Sequence, residues 1–186
     1  MVTKLICAGY GGQGALVAGT VMAHAGMELD KQVLWLSSYG GEMRGGSANC
    51  SLTISTEEIA NPYVSEMDIL LAMNQVSLDK FESKVKPGGY VIMNSSLAKP
   101  DYNYRKDINV VQIDATKIAL SKGNPRGANM VMIGALAKWT NLFDTDYLCQ
   151  ALDSYFGQKG KTIPQNKECF EAGVELSFLL KGEQSI

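Results

Sequence analysis

A glycine loop set between a buried strand and a buried helix constrains this chain more than any other feature. The apolar run Leu5-Ile6-Cys7-Ala8 reads as a strand, and Ala15-Leu16-Val17-Ala18-Gly19-Thr20-Val21-Met22-Ala23 reads as a helix. Between them lies Gly9-Tyr10-Gly11-Gly12-Gln13-Gly14. The order strand, G-x-G-x-x-G, helix is the context that a dinucleotide-type phosphate loop requires. Glycine permits a tight turn and a close backbone approach, and the helix N-terminus offers N–H groups and a partial positive charge to an anion. Three readings stay open: an NAD or FAD site, close packing of strand on helix, and contact of Gly11, Gly12, Gln13 and Gly14 with a different phosphate-bearing ligand or a partner chain. The first needs an Asp or Glu about 20 residues on, at the end of the second strand. That strand, Gln32-Val33-Leu34-Trp35-Leu36, ends in Ser37-Ser38, and Glu42 lies further on in another glycine-rich loop.

Composition narrows the class of protein. A chain of 186 residues is long enough for one domain with a substantial core, expected over 1–186. The net charge of −2 and the absence of a basic run give no reason to expect nucleic acid or an anionic membrane as partner. Apolar stretches such as Met130 to Ala137 fall far short of the ~20 residues of a membrane span, and the first strand begins at once, without a leader pattern. The expectation is a soluble, cytoplasmic protein. Cys7, Cys50, Cys149 and Cys169 form no C-x-x-C, so their spacing supports neither a cluster nor a structural zinc; reduced, mostly buried thiols are expected. His24, the one histidine, sits in mid-helix among Met22, Ala23, Ala25 and Met27 and reads as a packed or partly exposed helical residue.

Further strands are expected at 47–55, 68–73, 90–93 and 108–113. The link from Leu36 to Ser47 has no room for a crossover helix, so the second and third strands should run antiparallel. A helix over 76–85, stopped by Pro87-Gly88-Gly89, joins two strands of a βαβ unit. From Asp114, a candidate cap, the pattern turns helical: through Ser121, over 130–139, over 146–156 with Asp144 or Thr145 as cap, and over 165–180 with Pro164 at its start. The fold expected is a three-layer αβα, Rossmann-like sandwich with a mixed, mostly parallel sheet and extra C-terminal helices.

Several strands end in small polar residues: Ser37-Ser38-Tyr39, Asn74-Gln75, Asn94-Ser95-Ser96, and Asp114 with Thr116. In an open α/β sheet that carboxyl edge is where ligands bind, although turns and caps draw on the same residue types. The second glycine loop, Ser38-Tyr39-Gly40-Gly41-Glu42-Met43-Arg44-Gly45-Gly46-Ser47, is longer than a hairpin needs and carries one acid and one base. Ser38, Tyr39, Glu42 and Arg44 therefore join the candidate site. No metal-ligand spacing and no Ser-His-Asp set is present, which suits a binding or scaffold subunit whose chemistry sits on other chains.

Four segments together resemble the gamma subunit of the thiamine-dependent 2-oxoacid:ferredoxin oxidoreductases. They are the two glycine loops, the 68–73 strand with Lys86-Pro87-Gly88-Gly89, and Asn129-Met130-Val131-Met132-Ile133-Gly134-Ala135; the likeness continues to Pro164-Gln165-Asn166 and Ala172-Gly173. One departure is Gly41, where the family has proline. The resemblance implies that thiamine diphosphate and Mg are held by alpha and beta subunits. It places 4Fe-4S clusters on beta and on a ferredoxin-like delta subunit, with ferredoxin as electron acceptor. It also implies that this chain, inactive alone, packs against these subunits and contributes to the coenzyme A site. The Met43 and Asn49-Cys50 context is closer to 2-oxoglutarate or branched-chain versions than to pyruvate. Its methionines and all-apolar segments further suggest that the chain co-purifies with alpha and beta subunits, and that it self-associates when alone.

Overall fold

The structure, a computed structural model, describes residues 2–39, 46–61, 63–158, 160 and 163–180. Seven strands are described: β1 (Val2–Tyr10), β2 (Gln32–Tyr39), β3 (Ser47–Ser55), β4 (Met67–Ala72), β5 (Val85–Asn94), β6 (Asn109–Ile113) and β7 (Phe178–Leu180). They form one sheet in the order β2-β3-β1-β4-β5-β6-β7. β3 is antiparallel to both β1 and β2, and β7 is antiparallel to β6, while β1, β4, β5 and β6 pair in parallel. Five of the seven strands thus point one way, and the expected antiparallel pairing of the second and third strands is present. β2, however, does not lie beside β1 as in a dinucleotide-binding half; β3 is inserted between them.

The described helices are α1 (Ala15–Glu28), α2 (Gln75–Phe81), α3 (Ala115–Ser121), α4 (Ala128–Trp139), α5 (Thr145–Gln158) and α6 (Pro164–Leu176). They divide unequally between the two faces of the sheet. α1, α3, α4, α5 and α6 build the larger core, with Leu5, Cys7, Cys50, Leu52 and Ile54 of the sheet. On the other face Ile6, Ala8, Leu70, Val91 and Val110 pack with Leu78 and Phe81 of the short α2. Every residue of α4 from Asn129 to Ala137 is buried, which is why that helix is apolar on all sides. Asp144 caps α5 as expected, accepting the Tyr147 N–H at 3.0 Å. Cys7 and Cys50 are register partners across β1 and β3, both fully buried and free. The hydrogen bond to Cys50, with burial, pushes the Cys7 thiol up. His24 is largely covered, with Nε2 3.1 Å from Glu28 Oε1 and its ring tilted against Tyr155.

Three local expectations are corrected. α2 ends at Phe81 and a 3-10 turn, Glu82–Lys84, follows; Pro87-Gly88-Gly89 lies inside β5 and does not stop the helix. The pairing of β4 with β5 shifts between Met67↔Val85 and Ile69↔Tyr90, so residues 86–89 bulge out. Gly88 there has φ 76°, and a Cβ on Gly89 would lie 2.8 Å from the Asp68 carbonyl oxygen. Lys86 Nζ meets Asp68 Oδ1 at 2.6 Å and closes the bulge. Second, Asp114 precedes α3 without capping it. Its carboxylate accepts from Ser95 at 2.9 Å and lies 3.3 Å from Lys117, which holds its pKa below the usual range. Third, the last helix stops at Leu176 and Phe178–Leu180 becomes the edge strand β7.

A satellite cluster ties the 98–107 segment to the sheet. Glu82, buried, accepts the Tyr102 hydroxyl at 2.6 Å and the Arg105 N–H at 3.2 Å. Arg105 Nη1 donates to the Glu82 and Val85 carbonyls. Burial, then the hydrogen bond to Glu82, raises the Tyr102 phenol well above its usual pKa. A raised pKa means the neutral phenol is favoured on folding, so this contribution is complete below about pH 10 and is lost as pH rises past it. Urea midpoints of wild type should therefore fall more steeply between pH 8 and 10.5 than those of Tyr102→Phe. Equal slopes would show that Tyr102 is not coupled to folding.

Candidate functional site at the first glycine loop

β1, β2, β4, β5 and β6 all end on one edge of the sheet, as the polar strand ends suggest. Most of those polar groups are engaged with each other. Asn74 caps α2 through Ser77 N–H at 2.9 Å, Gln75 Nε2 donates to Asp79, and Gln75 Oε1 accepts the Lys99 N–H. Asn94 donates to the Met73 carbonyl and to Thr116, and Ser96 Oγ accepts the Lys117 N–H. These residues do turn and capping work.

The glycine loop is different. Beside it opens a cleft of about 290 Å³ between the end of β1, the start of α1 and the start of β3. Gly11, Gly12 and Gly14 line it, with Tyr10 at one side and Leu16 and Val17 of α1 at another; Ser47 and Ala48 close the β3 side. The walls are mostly apolar, while the first turn of α1 has neither a side-chain cap nor an acidic residue. Its leading N–H groups thus face the loop region uncompensated by a capping side chain or a first-turn acid. Tyr10 and Val17 are 36% and 37% exposed, so the cleft is open on that side.

Gln13 does not line the cleft but braces it. Its Oε1 accepts both the Tyr10 N–H and Asn74 Nδ2 at 2.7 Å. Gly11 N–H donates to the Gly46 carbonyl, linking the loop to β3. On the other flank Asn129, at the start of α4 and buried, donates to the Gly14 carbonyl at 3.2 Å and accepts the Met130 N–H at 3.1 Å. Asn129, 115 residues from Gly14, is a bracing residue that spacing along the chain did not single out.

The second-loop candidates are only partly assembled with the first. Ser38 is exposed on β2 at the same edge, two strands from β1 and about 10 Å away, and does not line the cleft. Tyr39 ends β2, its backbone paired with Ala48. Glu42 and Arg44, with Gly41, lie outside the described residues. Among the described residues no group of three or more His, Cys, Asp or Glu is placed to hold a metal, and no helix is long and apolar enough to cross a membrane. Among the described residues the cleft lining carries no acid, base or thiol.

Comparison with known proteins places this architecture. The chain is 35% identical over 180 residues to the 2-oxoglutarate synthase subunit KorC of Methanocaldococcus jannaschii, covering 95% of each. It is 34% identical to the ketoisovalerate oxidoreductase subunit VorA of Methanothermobacter marburgensis over 90% of this chain, and spans about a third (35%) of that relative's length. The solved gamma subunit of a keto/oxoacid ferredoxin oxidoreductase from Geobacter sulfurreducens superposes with a TM-score of 0.74 at 28% identity, over 93% of this chain and 96% of that one. A 2-oxoglutarate:ferredoxin oxidoreductase from Magnetococcus marinus, solved with 2-oxoglutarate, coenzyme A and succinyl-CoA, shares the fold with a TM-score of 0.82 at 24% identity, over 94% of this chain and 30% of that one. With residues 4–176 matching the family described as pyruvate ferredoxin/flavodoxin oxidoreductase, the chain belongs to that family.

Proposed function

We propose that this chain is the gamma subunit of a 2-oxoacid:ferredoxin oxidoreductase and that its first glycine loop contributes to the coenzyme A site. The complex would decarboxylate a 2-oxoacid oxidatively, transfer the acyl group to coenzyme A and pass the electrons to ferredoxin. The observation that carries the reading is the match over 4–176 together with the chemistry of the cleft. An uncapped helix start beside an apolar trough suits a ligand with an anionic end and a long neutral arm, which describes coenzyme A. A cleft whose described lining carries no acid, base or thiol suits a binding role, with thiamine diphosphate, Mg and the 4Fe-4S clusters on partner subunits. A nicotinamide-dependent enzyme is disfavoured by the strand inserted between β1 and β2 and by the missing ribose acid. The names of the relatives, KorC and VorA, favour 2-oxoglutarate or a branched-chain 2-oxoacid as substrate.

The test is reconstitution with alpha, beta and ferredoxin-like delta subunits. The chain should co-purify with them, and alone it should turn over no 2-oxoacid. Arg44, a planar donor fork suited to phosphate, is assigned to the same ligand. Arg44→Ala in the complex is expected to raise KM for coenzyme A about ten- to a hundredfold, equivalent to ~1.5–3 kcal/mol for a charge-assisted hydrogen bond, with KM for the 2-oxoacid nearly unchanged. Unaltered coenzyme A kinetics would remove the second loop from the site. Turnover by the isolated chain would overturn the subunit reading.

A further inference from the structure

We infer that the free edge of β2, with the bare sheet face that β2 shares with the first half of β3, is where an uncharged, strand-forming segment of a partner subunit docks; this rests on the gamma-subunit reading above. Among the described residues β2 is the outermost strand of the sheet, so one row of its backbone N–H and C=O groups has no described strand beside it. Exposed edges of this length are ordinarily blunted by Lys, Pro or a bulge. β2 has none of these: its eight residues carry no charge and no proline, and its register with β3 is unbroken from Gln32↔Ser55 to Tyr39↔Ala48. β3, from Ser47 to Ser55, is also without charge, although charged residues make up 19% of the chain.

The face adjoining this edge is covered at Thr53, which is 1% exposed, and opens toward Leu36 and Ser38. Val33 and Trp35 point toward α1 and join the larger core. Residues on the opposite side, Leu34, Leu36 and Ser38, pair with Thr53, Ser51 and Asn49. The described helix on that side, α2, packs on β1 and β4 and stops short of them. Leu36 is consequently 42% exposed, and Ser38 is exposed beside it. An apolar side chain flanked by small hydroxyl and amide groups, with no charge to repel or pair, fits an apolar, uncharged strand and not a charged partner.

Two features select a partner subunit as occupant. In the VorA relative and in the Magnetococcus oxidoreductase, the part matching this chain is about a third of a longer polypeptide (35% and 30%), so the matching part there is joined to further sequence in the same chain. The bare face also runs along β3 to Ser47, which lines the cleft. A partner strand added to β2 would therefore bring its chain toward the open side of the cleft, leaving the site incomplete without it.

The experiment compares wild type, Leu36→Lys and the control Leu120→Lys in reconstitution with the alpha and beta subunits, with amide hydrogen exchange measured on the free chain and on the assembled complex. Leu36 is at the free edge and Leu120, 55% exposed on α3, lies on the other face of the sheet. Expected is a weakening of association on the order of tenfold or more for Leu36→Lys, little change for Leu120→Lys, and slowed exchange of β2 amides on assembly. A free Leu36→Lys chain that unfolds at the wild-type urea midpoint shows that the loss lies in docking. Wild-type assembly with unslowed β2 amides and undiminished Leu36→Lys binding would overturn the docking surface while leaving the subunit reading in place. Slowed β2 exchange in the isolated chain with rising concentration, and no further slowing with partners, would overturn it in favour of pairing between two copies. Failure of the wild-type chain to assemble at all would instead strike the subunit reading.

Discussion

Gly134→Ala or Gly173→Ala is expected to destabilise the chain by about 3 kcal/mol or more, enough to lower the urea midpoint sharply. α4 lies between the sheet and α6, and the two glycines sit where α6 crosses it. A Cβ on Gly134 would overlap the Phe170 carbonyl oxygen and come within 3.1 Å of the Val174 nitrogen. A Cβ on Gly173 would overlap the Val131 carbonyl oxygen and lie 3.0 Å from the Ala135 nitrogen. These obstacles are helix backbone and cannot swing aside like a side-chain tip. The helices must part, and α4, buried from Asn129 to Ala137, has no free side toward which to move. Gly157, near the end of α5, supplies the control: a Cβ there meets nothing within 4 Å. Gly157→Ala should be neutral or stabilising by up to about 1 kcal/mol, because alanine reduces the freedom of the unfolded chain. Matching midpoints for Gly134→Ala and Gly157→Ala would show that the helix crossing tolerates separation.

The sequence carried the element order well where apolar runs were continuous. β1 and the all-apolar α4 are of this kind, β3 showed only partial alternation, and the short link between β2 and β3 dictated their antiparallel pairing. It misled at Pro87-Gly88-Gly89, because the same residues that stop a helix also make a bulge; the deciding fact, the register of β5 against β4, is tertiary. It misled again at 178–180, where three apolar residues extend a helical pattern and only the free edge of β6 makes them a strand. At the candidate site, a cleft lies beside the loop that the glycine spacing singles out. What sets the loop's shape, Gln13 held by Asn74 and Gly14 held by Asn129, joins residues 61 and 115 positions apart, and no local pattern reports such pairs.

That bracing makes the glycines of the first loop unequal. Gly12 and Gly14 both have positive φ, 98° and 80°. A Cβ on Gly12 meets nothing within 4 Å, so Gly12→Ala should cost the left-handed strain alone, about 1–2 kcal/mol. A Cβ on Gly14 would lie 2.5 Å from Asn129 Nδ2 and 2.7 Å from Asn129 Cγ. Gly14→Ala therefore adds a collision with a buried, hydrogen-bonded amide and should cost about 2–4 kcal/mol in urea unfolding. Asn129→Ala alone removes two hydrogen bonds, to the Gly14 carbonyl and from the Met130 N–H, for about 1–3 kcal/mol. In the double variant the colliding amide is gone and the nearest remaining side-chain atom of residue 129 is Cβ, at 3.2 Å. The double loss should then fall short of the sum by about 1 kcal/mol or more, a coupling within the range seen for residues in contact. Strict additivity would mean that the loop moves away from Asn129 at no cost. Within the complex the same series should order the coenzyme A KM as wild type, then Gly12→Ala, then Gly14→Ala. Restored stability in the double variant, without a restored KM, would separate the fold of the loop from its fit to the ligand.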